Sequence, residues 1–296
     1  WAYVELGWGG YWGWDPVENS SLIPWLVGTA ALHSAAMQRR RGICRTWTAL
    51  LSVLTFGLCI FATFVTRSGV IQSVHAFNRS PIGTYFIIFL VLVMAGAIGL
   101  LLARRRTLAD EYQMESYLSR EAGFLLGNLL LVGAAAVVFL GTIFPALTEL
   151  ARGEQVALDA SFYNRAFSPL ALAIILLFGL CPVLSWRRTS PAVFLRRLAV
   201  PAGAAVVALA AMLAFGVREA VALIGFTAVA FVAGNILAEF ARGILARRRS
   251  TGENPLTALW RLVGRDRRRY GGLIVHLSIL VISLGVIGSA AYKSEH

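Results

Sequence analysis

The sequence predicts an all-α integral membrane protein: a polytopic bundle of about eight transmembrane helices with an outward-facing, Trp-rich interfacial segment. Three observations predict it. Hydrophobic residues make up 58% of the 296-residue chain and charged residues only 14%, far from the balance of a soluble domain of this length. Eight apolar runs are each long enough to cross, or nearly cross, a hydrocarbon core of about 30 Å, which takes roughly 17–25 helical residues. Alternate threading of those runs puts 21 of the 27 basic residues on one side.

The first run, Leu22–Gln38, ends on Arg39, Arg40 and Arg41, and the second, Thr46–Val65, lies between Arg45 and Arg67. Ile82–Ala103 stops at Arg104, Arg105 and Arg106, and Ala122–Phe144 lies between Arg120 and Pro145. Leu170–Trp186 follows Pro169 and meets Arg187 and Arg188; Leu198–Phe215 follows Arg196 and Arg197. Ala220–Phe240 lies between Arg218 and Arg242, and Gly271–Ala291 follows Arg267, Arg268 and Arg269. Helix ends are expected near Pro145 and before Pro169, because proline lacks an amide donor. Residues 1–24 are read as a Trp-rich segment leading into the first run, and 22–292 as a transmembrane bundle with long loops at 66–81 and 145–169.

The formal charge of +12 would suggest nucleic acid in a soluble protein. Here its distribution instead reports topology: the positive-inside rule makes the Arg-rich side cytoplasmic and turns the Trp-rich run, the His75 loop, the 145–169 loop and the C-terminus outward. Within the basic stretch Arg242–Tyr270, Trp260, Leu262 and Val263 suggest an amphipathic surface segment, against the plainer reading of a solvated charge run lying near anionic lipid. Cys44, Cys59 and Cys181 form no CxxC pair, so neither a disulfide framework nor a thiol redox motif is implied. The chain opens on Trp1 without a Met or leader and is read as part of a longer protein.

Trp8, Tyr11, Trp12 and Trp14 crowd into seven residues with glycines between them, and Asp15-Pro16-Val17-Glu18 follows. Asp15 as N-cap, Pro16 at the first helical position and Glu18 three residues on read as a variant capping box. That does not account for the indoles, to which Trp25 adds another. An aromatic belt would scatter one or two such rings per helix end. Crowding favours a platform for a large flat apolar ligand with a charged rim, such as haem, since indole faces stack over a wide area and Gly7, Gly9, Gly10 and Gly13 admit close approach.

His33 lies six residues before Arg39 on a descending helix, and His276 seven residues after Arg269 on a rising one. At about 1.5 Å per residue both imidazoles lie about 9–10 Å from the cytoplasmic boundary. A lone intramembrane histidine is commonly a packing hydrogen-bonder, but ionisable groups in hydrocarbon point to function. Two at matched depth can share one iron, as in bis-His haem b sites. Zinc is disfavoured, since neither a third ligand nor a carboxylate is evident at that depth. His75, in an outer loop, reads either as a solvated residue or as a ligand to the iron of a haem lying on the indoles. Arg67, at the same membrane edge, suits a propionate.

Trp8-Gly-Gly-Tyr-Trp-Gly-Trp-Asp-Pro-Val-Glu-Asn, followed by Pro24-Trp25 and the run to His33, resembles the WWD signature of the CcmF family of membrane haem lyases. Thr66 to Phe77 with His75, Gly141-Thr-Ile-Phe-Pro145, Phe162-Tyr-Asn-Arg165 and Gly271-Gly-Leu-Ile-Val-His276 follow in the family's order. The resemblance implies a bacterial inner-membrane protein of cytochrome c maturation. It implies His33 and His276 as axial ligands of a resident haem b, and His75 as one of two external histidines on a substrate haem. The second external histidine and an outer soluble domain of the family have no counterpart in these residues, and Tyr11 stands where a Trp is common. Implied partners are the haem chaperone CcmE, apocytochrome c with its CcmH/CcmI-type thiol-handling proteins, quinol and membrane lipid, and no nucleic acid. The catalytic thiols would belong to the substrate. The rival readings are a CcmC-like haem-transfer protein, which would carry no resident haem, and a b-type electron-transfer cytochrome, which would need no platform.

Overall fold

The computed structural model describes residue 5 and residues 11–73, 75, 81–110 and 114–292. Among these residues it contains nine α-helices and no strand: α1 Pro16–Arg41, α2 Arg45–Ser68, α3 Ile82–Ala103, α4 Arg120–Arg152, α5 Ala160–Leu180, α6 Pro191–Ala214, α7 Ala220–Thr251, α8 Pro255–Arg265 and α9 Arg267–Ala291. A 3-10 turn, Cys181–Val183, extends α5. Seven helices, α2 to α7 and α9, are long and apolar enough to cross a membrane, so this is a multi-pass membrane protein.

The remaining expected crossing, Leu22–Gln38, falls inside α1, which has the length (about 39 Å at about 1.5 Å per residue) but not the apolarity of the other seven. The reason is visible in its burial. Glu18, Asn19, Ser20 and Ser34 all point inward, and Ser34 Oγ accepts a buried 2.6 Å hydrogen bond from Asn128 Nδ2 on α4. Trp25 and Leu32 are exposed instead. Ser34 thus bonds to a neighbouring helix, while Glu18, Asn19 and Ser20 bond within residues 13–20, so each of these buried polar groups finds a partner.

Two prolines do less than expected. α4 runs through Pro145 to Arg152, and α5 begins at Ala160, well before Pro169. The connection between α4 and α5 therefore shrinks from 145–169 to residues 153–159, and α2 reaches Ser68 inside the expected 66–81 loop. Proline removes one donor and presses its ring toward the carbonyl four residues back. Four residues before Pro145 stands Gly141, whose carbonyl loses its helical donor there, and one turn on Thr148 Oγ1 donates to the Pro145 carbonyl at 2.9 Å. Membrane helices tolerate proline through such local adjustment.

The chain divides into two compact units, residues 1–113 with 124–171, and residues 114–123 with 172–296. In the first, α1 packs on α2 and α2 on α3. Close approach relies on glycine: a Cβ at Gly57 would stand 2.7 Å from Met94 Sδ, and one at Gly83 2.6 Å from Ser68 Cβ. Met37, Ile43 and Cys44 form a small core with Trp47, Phe124 and Leu125. Burial, and then the nearby Asp110 charge, pushes the Cys44 thiol up to about 11, so it stays protonated near neutral pH.

In the second unit, Val229, Val232 and Ile236 of α7 meet Tyr270, Leu273 and Leu280 of α9. The carboxylate of Glu239, 7% exposed, accepts from both Arg242 and Arg269 and ties the same two helices. The Arg120 guanidinium donates to the carbonyls of Leu184 at 2.6 Å and Pro182 at 3.0 Å, holding the turn that ends α5.

The Arg242–Tyr270 stretch resolves into the end of α7, all of α8 and the start of α9. Leu262 and Val263 face the α7–α9 core, while Leu256 and Trp260, one turn apart, stand exposed. Glu253 fastens α8 to α7 by accepting from Arg247 at 2.7 Å and Arg261 at 2.5 Å. Those hydrogen bonds, Arg247's first, hold its carboxyl below the usual range. A carboxyl depressed in the folded state contributes stability above its unfolded pKa and loses it as pH falls through the folded value. Deuterium uptake across 254–265, corrected for intrinsic exchange, should therefore be slow at pH 7 and rise below pH of about 4. Glu253→Gln should show the faster uptake already at pH 7.

Candidate functional site

The Trp-rich segment enters α1 through the expected capping box. Asp15 is the N-cap and accepts from the Val17 amide at 3.0 Å; Glu18 Oε2 accepts from the Asp15 amide at 3.1 Å and the Gly13 amide at 2.9 Å. Between Gly13 and Asp15, Trp14 takes a left-handed backbone with φ +58°. For an L residue that conformation costs roughly 1–2 kcal/mol and persists only where surroundings over-determine it.

Here they do. The Trp14 carbonyl accepts from Asn19 Nδ2 at 3.0 Å, and its Nε1 donates to Asn164 Oδ1 at 2.8 Å, 150 residues away. Its indole stacks on Tyr163, with centroids 5.0 Å apart and planes within 8°, and takes the edge of Phe167 at 5.3 Å. Trp12 meets it edge-on at 5.8 Å. Tyr163, 3% exposed, hydrogen-bonds with Thr142 and Asn19. Its ring lies against Gly141, where a Cβ would come within 2.7 Å of the ring and 2.8 Å of the hydroxyl. The Gly141-Thr142 and Tyr163-Asn164 pairs are thus the seat into which Trp14 is pressed.

The His75 loop arrives at the same place. His75 Nδ1 lies 3.1 Å from Asp15 Oδ2, with 20% and 15% of the two side chains accessible. Ser73 Oγ donates to that same oxygen and accepts from the His75 amide at 3.0 Å. Since a carboxylate only accepts, Nδ1 carries the proton in this pair, and Nε2 is the nitrogen able to offer a lone pair to a metal.

Of the outer residues singled out from the sequence, Trp12, Trp14, Asp15 and His75 come together. Tyr11 stands at the edge of this cluster, 58% exposed. Trp25 lies about 15 Å further along α1, with its ring exposed. Arg67 occupies the last turn of α2, which leads into Ser73 and His75. Trp8 lies outside the described residues. The partners that sequence reasoning missed are Asn19, Ser73, Gly141, Thr142, Tyr163 and Asn164. Only the Tyr-Asn and Gly-Thr motifs signalled them, and neither motif named a chemistry.

The two transmembrane histidines belong to different units. His33 of α1 is half-buried beside Phe124, with ring centroids 5.6 Å apart. His276 of α9 stacks on Phe178 at 4.4 Å with planes within 7°. Among the described residues no three His, Cys, Asp or Glu side chains gather as a metal-ion cluster. A porphyrin asks for less, namely two neutral imidazoles and apolar room. Gly271 and Gly272, one turn before His276, have nothing within 4 Å of where a Cβ would stand. Each histidine taken by itself, an imidazole beside a phenylalanine, has the donor chemistry of a haem ligand.

The Tyr163 seat generates a test by substitution. Gly141→Ala should lower stability by about 1–3 kcal/mol through overpacking. Gly133→Ala, on the same helix with open space around the new Cβ, should be neutral or stabilising by roughly 0.5–1 kcal/mol. Thermal melts of the two purified variants in one detergent would separate these outcomes.

A family described as Cytochrome C assembly protein matches residues 1–75. Cytochrome c-type biogenesis protein CycK of Bradyrhizobium diazoefficiens is 39% identical over 100% of this chain and 44% of its own length. Cytochrome c-type biogenesis protein CcmF of Escherichia coli is 35% identical over 100% of this chain and 44% of its own length. A solved structure, Cytochrome c Heme Lyase CcmF, superposes with a TM-score of 0.74 at 33% identity, covering 97% of this chain and 41% of that one. The chain thus spans less than half the length of these relatives. Matching motifs, full-length similarity and shared fold agree: the chain belongs to the CcmF/CycK family of cytochrome c-type biogenesis proteins.

Proposed function

We propose that this chain carries the haem-handling core of a membrane haem lyase, which presents haem at its outer face for covalent attachment to apocytochrome c. The observation that carries the reading is the meeting at Asp15 of the aromatic segment and His75, two stretches 60 residues apart. That junction ties an imidazole donor to the segment that carries Trp12 and Trp14, and a haem substrate needs both an axial donor and apolar ring surface. Trp12, Tyr11 and Trp8 supply apolar ring surface for the macrocycle, His75 Nε2 an axial ligand for its iron, and Arg67 a cation for a propionate.

The chemistry itself needs no nucleophile from this chain. Each cysteine of a CxxCH segment adds its S–H across a haem vinyl, forming one S–C and one C–H bond without net oxidation. The contribution of the chain is positioning, which supplies several kcal/mol when the reacting atoms are held in near-attack geometry. A haem b held by His33 and His276 would supply the electron that keeps the substrate iron ferrous. His33 of α1 stands beside Phe124, and His276 of α9 beside Phe178. Delivery by CcmE, hand-over of apocytochrome through CcmH/CcmI-type proteins, reduction by quinol and residence in the bacterial inner membrane complete the proposal.

The spectrum of purified full-length protein tests it. His33→Ala and His276→Ala should each abolish the b-type absorbance of the dithionite-reduced protein. His75→Ala should keep it while losing cytochrome c assembly in cells. Full b-type absorbance in both transmembrane variants would contradict the ligand assignment, and normal assembly by His75→Ala would contradict the outer site.

A further inference from the structure

Asp15 does more than start a helix. Capping α1 requires a single hydrogen bond, from the Val17 amide. The same Oδ2 also receives Ser73 Oγ and His75 Nδ1, from a loop that the helix cap does not need. This carboxylate is thus committed to three donors and largely withdrawn from solvent, with 15% of its side chain accessible. It is poorly placed to face the rim of a haem, where propionates would repel it.

We propose that Asp15 is the positioning residue of His75, fixing its tautomer and strengthening it as a donor to the iron of a bound haem, with Ser73 as the counterweight that moderates the effect. The proposal rests on the assignment of His75 as an iron ligand. A histidine that donates its second N–H to a carboxylate is held in one ring orientation and becomes a more basic ligand, and such outer partners typically change metal affinity about 10–100-fold. A more basic axial imidazole stabilises ferric over ferrous iron and lowers the midpoint potential. Ser73 donates to the oxygen that accepts from His75. It therefore competes for that oxygen's charge and opposes the strengthening.

Trp14 enters as the support. Its left-handed backbone turns the chain so that Asp15 faces both the helix and the loop, and Tyr163 with Asn164 holds it there. The tie explains why motifs at the ends of α4 and α5 matter to a site built from the first 75 residues.

Two substitutions of opposite expected sign make the test, both in full-length protein loaded with haem and titrated by spectroelectrochemistry. Asp15→Asn keeps an N-cap of equal quality but presents a neutral oxygen to Nδ1. The midpoint potential of the outer haem should rise, and its retention should fall about tenfold. Ser73→Ala leaves the carboxylate wholly to His75, so the potential should fall and retention should hold or improve. The resident haem should be unmoved in both. Unchanged outer-haem potentials in both variants, or shifts of the same sign, would overturn the proposal while leaving His75 as a ligand. A His75→Ala protein that retains the outer haem with an unaltered spectrum would overturn the ligand assignment itself, and this inference with it. Should Asp15→Asn not fold, by loss of helical circular dichroism, the sign of the Ser73→Ala shift decides alone.

Discussion

The cluster at the N-terminus of α1 depends on a single strained residue. Trp14 is held in a left-handed conformation by a stacked tyrosine, an asparagine on its indole nitrogen and an asparagine on its carbonyl. A strain of roughly 1–2 kcal/mol is small beside those contacts taken together, with a buried aromatic pair contributing about 0.5–1.5 kcal/mol and each hydrogen bond about as much. The turn it enforces puts the Asp15 carboxylate where a helix N-terminus and a distant loop can both use it. That one carboxylate both caps α1 and accepts from Ser73 and His75.

This arrangement also changes what the aromatic crowding means. From sequence, Trp14 reads as one tile of a ligand platform. In the structure, one of its faces lies on Tyr163 and its edges on Trp12 and Phe167, so its main contacts are within the protein. Spacing alone cannot tell an indole that stacks on a ligand from one that stacks on a tyrosine 149 positions later, because both want the same exposed, glycine-flanked ring. The His75–Asp15 pair was beyond the sequence for a similar reason. Each residue had a sufficient local explanation, a loop histidine and a helix cap, and only tertiary structure joins them.

The membrane architecture was more legible, and its failures are instructive. Apolar length found the seven spanning helices, since in lipid the backbone has no alternative to helix. Pro145 and Pro169 read as helix stops from sequence, but each helix continues past its proline, and Gly141, four residues before Pro145, seats Tyr163. α1 reads as a span by its length and by the arginines that end it, but it is less apolar than the other seven and buries Asn19, Ser20 and Ser34. Those polar residues lie where α1 meets the rest of its unit, so the deviation from an ideal span marks the helix that carries both Asp15 and His33.

The most direct test is an experimental structure of the full-length protein with haem bound at its outer face. The account predicts His75 Nε2 on the iron, Nδ1 within hydrogen-bonding distance of Asp15, and the Trp14 indole still stacked on Tyr163. A structure in which Trp14 leaves Tyr163 to lie on the porphyrin, or in which Asp15 and His75 stand apart while haem is held, would contradict it.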